Sequence, residues 1–265
     1  MSFTEDLLLP SRGIIYRLND FDGTVKVKQF TTKSYKNLLV GNASESAIRQ
    51  FVDDCLVNCP VKAKNMNQND VLAVLFKTRV MTLGNMLKTQ VRCPSCRKSE
   101  TINFDLNDVE INYLFVDEYP IPITLPVSNK EIKVRFPTGY DINKAKQEAE
   151  KRAAAFNKQA SEFTEMFTTA SIIDVDSMDI VEKAEWYESL NPQDAIYLDS
   201  VFSELSNSFG VKLTHSITCS ECEYEYNSYI DIGSDFFRTT SNFSLGITSK
   251  KGNLGHAIKE PNISK

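Results

Sequence analysis

The chain has 265 residues, of which 42% are hydrophobic and 25% are charged, and its formal net charge is −5. This composition is ordinary for a globular protein with a normal core, and the length suits one large domain or two small ones. No apolar run reaches the roughly 20 residues needed to cross a bilayer, so we expect no membrane contact. The negative charge argues against a general nucleic-acid binder.

The first part of the chain, residues 1–87, is predicted to hold a hairpin followed by helices. Asp22-Gly23 is a turn signal between a strand that begins at Ile14-Ile15-Tyr16 and a second strand over residues 24–28. A short helix is predicted over residues 31–40.

Two longer helices are predicted to follow it. Asn42, with Glu45 three residues later, resembles a capping box for the first, whose apolar spacing continues to Cys59 before Pro60 stops it. Asn69 or Asp70 is the expected cap of the next helix, and Gly84 its C-terminal break.

Two Cys-x-x-Cys pairs form the most informative pattern in the chain. Each pair lies at a bend between two stretches that alternate like strands. Thiolates three positions apart project to one side of a tight turn, and two such zinc knuckles facing each other make a closed tetrahedral site. About 120 residues separate the pairs, so we interpret them as one zinc ribbon split by a long insertion. The predicted ligands are Cys93, Cys96, Cys219 and Cys222, binding one structural Zn²⁺ per chain.

Two other interpretations of these cysteines stay open. A thioredoxin-like redox pair would be followed by a helix, whereas a strand-like segment follows both pairs. Structural disulfides need an oxidising compartment, and we find no signal peptide. Cys55 and Cys59 are expected to pack as small hydrophobes, and His215 is expected to be a strand residue near the site, although it could replace a cysteine ligand.

Between the knuckles, the sequence predicts a β-hairpin and then helices. The hairpin joins residues 123–127 to residues 131–136. We predict that it forms one unit with the first knuckle, residues 88–140. Asp141 is the expected cap of one long helix over residues 141–169, with an apolar seam that includes Phe156 and Phe163. Helices over residues 180–190 and 192–205, the latter capped by Asn191, complete a predicted helical insertion, residues 141–208.

The second knuckle, residues 209–238, is followed by a polar tail, residues 239–265. A flexible tail and an arm that orders against a partner are both open. The sequence thus predicts an α+β fold in which a helical insertion interrupts a four-cysteine zinc-ribbon-like β unit.

The two knuckles carry opposite charge. The first is basic, through Arg92, Arg97 and Lys98, and the second is acidic, through Glu221, Glu223 and Glu225. A nucleic-acid duplex needs a contiguous cationic face, which mixed signs do not supply. The opposite signs would instead attract the hairpins to each other or offer a surface to a protein partner.

Several segments, in this order, resemble the baseplate hub assembly proteins and hub subunits of T-even-like contractile-tailed bacteriophages. The resemblance covers most of residues 7–238. Its segments are Leu9-Pro10-Ser11-Arg12-Gly13-Ile14-Ile15-Tyr16, the stretch 69–84, the Cys93-Pro94-Ser95-Cys96 pair, residues 190–195 and Asp235-Phe236-Phe237. It implies a late phage protein that takes part in building the central baseplate hub, either as a component or as an assembly factor absent from the finished particle.

The resemblance also implies partners and a location. The partners would be other tail and baseplate hub proteins, met in the host cytoplasm during assembly, with the tail baseplate of the virion as a second location. No small-molecule substrate, nucleic acid or membrane is expected. The sequence holds no phosphate loop, nucleophile elbow, HExxH or dinucleotide fingerprint, so we expect a binding protein. The alternatives are a zinc-ribbon nucleic-acid-binding or transcription-associated module and an enzyme with an unrecognised site.

Overall fold

Seven α-helices and eleven short β-strands make up the part of the chain that the structure, a computed structural model, describes: residues 3–41, 44–175, 177–232 and 234–237. The fold is therefore mixed α+β, as predicted. The helices are α1 (Thr32–Val40), α2 (Glu45–Cys55), α3 (Gln68–Leu83), α4 (Gly139–Phe156), α5 (Ser161–Ala170), α6 (Ile180–Glu188) and α7 (Pro192–Asn207). The strands are β1 (Thr4–Leu8), β2 (Thr24–Lys28), β3 (Leu56–Val57), β4 (Met86–Arg92), β5 (Ser99–Asp105), β6 (Ile111–Asn112), β7 (Ile121–Thr124), β8 (Glu131–Val134), β9 (Gly210–Val211), β10 (Thr214–Thr218) and β11 (Glu225–Tyr229).

The N-terminal sheet has the antiparallel order β1-β2-β3. The prediction of a strand at Ile14–Tyr16 is wrong, because these residues form a 3₁₀ turn and β1 takes their place beside β2. Gly13 and Arg17, on either side of that turn, both have positive φ, which bends the chain too sharply for a strand. The strand over residues 24–28 is confirmed.

Helix α1 agrees with its prediction, but the ends of the next two helices differ. Ser44 caps α2 by accepting from the Ala47 N–H, whereas Asn42, the predicted cap, lies outside the described residues. The predicted end at Pro60 is wrong, because α2 stops at Cys55 and Leu56–Val57 pair with β2. Asn67, not Asn69 or Asp70, caps α3, and Gly84 ends that helix with a φ of 82° as expected.

The first core lies between this sheet and helices α1–α3. Its fully buried members include Leu9, Val27 and Val74. Phe236 and Phe237, near the end of the described chain, pack into the same core: Phe237 stacks edge-on to Phe51, with ring centroids 5.3 Å apart. The last described residues therefore complete the N-terminal core.

A second body of the fold contains the β7–β8 hairpin and helices α4–α7. The single helix predicted over residues 141–169 is wrong, because Asn157 adopts a left-handed φ of 53° and ends α4. Helix α5 then folds back, so that Ala145 and Ala149 of α4 share a buried cluster with Phe167 of α5. Thr138 is the N-cap of α4, and Asp141 is the third helical residue, which closes a capping box with it.

The remaining helices and a short strand pair complete this layout. Helices α6 and α7 lie where predicted, with Asn191 capping α7. Strands β6 and β9 pair antiparallel, with Ile111 opposite Val211, and so join the chain after the first cysteine pair to the chain before the second. This pairing brings two hairpins that are distant in sequence to the same place.

No helix among the residues that can be described is long and apolar enough to cross a membrane.

Candidate metal centre

The two cysteine pairs lie at the tips of two antiparallel hairpins, β4–β5 and β10–β11. The backbone at each tip follows the same course. The Cys93 N–H donates to the Lys98 carbonyl (2.9 Å), and the Cys219 N–H donates to the Tyr224 carbonyl (3.0 Å). The residue after the second cysteine has positive φ in both turns, 63° at Arg97 and 55° at Glu223. These turns are the two bends that the sequence predicted.

The four sulfur atoms converge where the tips meet. The Sγ atoms of Cys93 and Cys222 are 3.7 Å apart, and those of Cys96 and Cys219 are 3.6 Å apart. All four lie within 4.8 Å of one another. Sulfurs bound tetrahedrally at roughly 2.3 Å from one zinc ion would be about 3.8 Å apart, so these spacings fit a shared metal ion. They are too long for disulfide bonds, and all four cysteines are free thiols.

Burial differs between the two cysteines of each pair. Cys93 and Cys219, the first of each pair, are 1% exposed, whereas Cys96 and Cys222 are exposed. The four sulfurs can supply all four ligands of a tetrahedral metal site, so no other protein group is needed to complete it. A closed set of this kind leaves no coordination position for substrate or water.

The electrostatics of the cluster favour a bound cation. Backbone N–H groups of Glu221 and Cys222 donate to the Cys219 sulfur and lower the pKa of its thiol to about 7. The Lys98 N–H lowers the pKa of Cys96, but desolvation and the three neighbouring sulfurs outweigh it and raise that pKa to about 12. Sulfurs this close together oppose one another's ionisation, and a cation between them would remove that opposition.

Polar contacts join the two hairpins beside the sulfurs. Lys98 Nζ lies 2.6 Å from Glu221 Oε2, and Ser220 Oγ donates to Glu100 Oε2 at 2.7 Å. The hypothesis that opposite charges attract the knuckles to each other is therefore confirmed for Lys98 and Glu221. This ion pair is exposed, so solvent screening leaves it only a small contribution to stability.

The other candidate residues from the sequence lie outside the sulfur cluster. His215 is a residue of β10 as expected, and its ring packs against Phe104 with centroids 5.0 Å apart. Cys55 is buried in the N-terminal core and Cys59 is half-buried. Asp179 caps α6 by accepting from the N–H groups of Val181 and Glu182.

A buried carboxylate network was missed by the sequence analysis. Asp70 is fully buried and accepts hydrogen bonds from the Ser11 N–H (2.9 Å), from Ser11 Oγ (2.6 Å) and from the Tyr16 hydroxyl. Burial raises the pKa of Asp70, and these donors offset part of the effect. The only sequence signal was the stretch 9–16 itself, whose turn places Ser11 and Tyr16 beside the start of α3.

Together these features define a class: an α+β protein in which a closed cluster of four cysteine sulfurs joins two distant hairpins and can hold a metal ion. The chain belongs to the T4 bacteriophage base plate protein family, which matches residues 11–238. The family ties the protein to the phage tail baseplate and associates it with other tail proteins. No curated protein and no solved structure matches it.

Proposed function

We propose that Cys93, Cys96, Cys219 and Cys222 bind one structural Zn²⁺ ion per chain. The observation that carries this proposal is the convergence of their sulfurs at spacings suited to tetrahedral zinc. In the resulting architecture, a zinc ribbon is split and residues 141–208 form its helical insertion. Since the ion would fasten residues near 95 to residues near 220, its binding energy would contribute directly to folding.

We further propose that the protein acts in the central hub of the baseplate, as a component or as an assembly factor, by binding other tail proteins. The family membership supports a baseplate role, and the ordered resemblance over residues 7–238 supports the hub in particular. We propose a binding role without catalysis. In support, the buried carboxylates Asp70 and Asp194 both accept structural hydrogen bonds, Asp194 from the N–H groups of Val127 and Ser128.

A nucleic-acid-binding zinc ribbon is the weaker alternative. At the knuckle tips, Lys98 is already paired with Glu221 of the other hairpin, so part of the basic charge is neutralised within the chain. Counterion release from a duplex requires cationic groups that are free to contact phosphates. Micromolar, salt-dependent DNA binding by the purified protein would favour this alternative over the hub proposal.

Two measurements test the proposal. Metal analysis of the purified chain should find about one zinc per chain, and no bound metal would contradict the zinc site. Co-expression with the other hub proteins of the same phage should give a complex that purifies together, whereas co-purification only with baseplate proteins outside the hub would contradict the hub assignment. Electron cryomicroscopy of isolated baseplates then separates the two hub roles, since a component leaves density and a transient factor does not.

A further inference from the structure

Each knuckle hairpin carries one polar residue at the same sequence distance after its second cysteine. Glu100 follows Cys96 by four residues, and Tyr226 follows Cys222 by four. Each lies opposite a buried apolar residue in the ladder, with Val91 across from Glu100 and Ile217 across from Tyr226. Because side chains alternate along a strand, Glu100 and Tyr226 point to the same sides of their hairpins as Cys93 and Cys219 do.

These two residues carry buried polar atoms that lack partners. Glu100 Oε1 and Tyr226 Oη are both buried, and neither has a hydrogen-bond partner among the described residues. The great majority of buried polar side-chain atoms in proteins are paired, so each such atom calls for an explanation. A third atom of this kind, His215 Nε2, lies two residue pairs further from the cysteines.

The two atoms are chemically complementary. Burial, followed by the nearby Glu100 carboxylate, raises the pKa of Tyr226, whose hydroxyl carries its proton at neutral pH and can donate. A carboxylate oxygen accepts. Glu100 already reaches the second hairpin, since its other oxygen accepts from Ser220 Oγ at 2.7 Å.

We propose that Tyr226 is a positioning residue for the metal centre, whose hydroxyl donates across the hairpin interface to a bridging water that in turn donates to Glu100 Oε1. The bond would hold the two knuckles in the register that a shared ion requires. This inference rests on the proposed metal site. Residues that orient metal ligands in this way typically change metal affinity by roughly 10- to 100-fold when they are removed.

The test compares metal affinities of full-length variants by competition with a chromophoric chelator, using Zn²⁺ and Co²⁺. Tyr226→Phe removes only the hydroxyl and should weaken binding by roughly tenfold. Tyr229→Phe is the matched control, because that tyrosine lies on the same strand but is 65% exposed, and it should bind as the wild type does. The Co²⁺ absorption spectrum should keep its four-sulfur signature in both variants, and circular dichroism should confirm that both are folded.

The double variant with Glu100→Ala tests whether Tyr226 acts through Glu100. In Glu100→Ala protein, adding Tyr226→Phe should change affinity by less than about twofold, because the acceptor is already gone. Wild-type affinity in Tyr226→Phe, or a full tenfold loss that persists in the Glu100→Ala background, would overturn the proposed bond and leave the metal site standing. Failure of the wild-type chain to bind either metal would overturn both.

Discussion

The side chain of Arg79 donates from Nε to the backbone carbonyl of Phe236 at 3.2 Å, although 157 residues separate the two in sequence. The same guanidinium, which is fully buried, also donates to the carbonyls of Gly84 and Met86. One side chain therefore links the end of α3, the start of the first knuckle hairpin and the last described segment of the chain.

Replacing Arg79 by Met should destabilise the protein strongly. The change removes the donor from three carbonyls, of which that of Phe236 is buried, and each hydrogen bond to a charged group contributes about 1.5–3 kcal/mol. We expect the free energy of unfolding to fall by at least about 3 kcal/mol, measured by urea denaturation. Lys77→Gln on the same helix is the control, because it breaks only a partly exposed ion pair with Glu5 and should cost less than about 1 kcal/mol. Equal effects of the two changes would contradict the linking role.

The sequence predicted what depends on local chemistry and missed what depends on distant partners. The two cysteine pairs were found because thiols three residues apart at a bend have a recognisable use. The apolar seam continued past Asn157 and so predicted one helix over residues 141–169, yet Asn157 breaks it so that α5 can bury Phe167 against α4. Nothing at Arg79 or Asp70 themselves signalled their buried hydrogen bonds, since the partners lie up to 157 residues away.

Gly23 should tolerate no side chain. It has a φ of 83°, and an added Cβ would lie 2.4 Å from the backbone carbon of Arg12, in the turn that presents Ser11 to Asp70. Gly84 has nearly the same φ, 82°, but a Cβ there would meet nothing within 4 Å. The Gly84→Ala change thus measures backbone strain alone, about 1–3 kcal/mol, because a φ of 82° with a ψ of 174° is a conformation that only glycine adopts freely.

Gly23→Ala should cost more than Gly84→Ala by at least about 1 kcal/mol, because the turn itself must move. Thermal unfolding of the two variants side by side gives the difference. Similar melting temperatures would mean that the turn at residues 11–13 yields easily, which would remove the steric reason for glycine at position 23.

The Arg135–Asp141 pair should make stability depend on pH in the acid range. Burial alone would raise the pKa of Asp141, but the paired hydrogen bonds from Arg135 (2.8 and 2.7 Å), its charge and Thr138 together lower it. A carboxyl whose pKa is lowered by folding adds stability above its unfolded pKa of about 3.9, and that stability is lost as the pH falls through the folded value.

Asp141→Asn should therefore lower the free energy of unfolding at pH 7 by about 1.5–3 kcal/mol and flatten its fall below about pH 5. Urea denaturation across this range measures both effects. Glu118→Gln breaks an exposed ion pair with Lys133 and should leave the acid slope nearly unchanged. A wild-type slope in Asp141→Asn would show that another carboxylate carries the effect.

Cys96→Ser should abolish metal binding at little direct cost in packing. Cys96 is exposed, so exchanging its sulfur for oxygen removes few buried contacts, and any loss of stability reports the ion. We expect zinc content to fall from about one per chain to well below one, and the midpoint of denaturation to fall with it, because the ion fastens two hairpins about 120 residues apart. Cys59→Ser, a half-buried thiol outside the sulfur cluster, should keep full zinc content. Treating wild-type protein with a chelator should reproduce the Cys96→Ser midpoint, whereas full zinc content in Cys96→Ser would exclude Cys96 as a ligand.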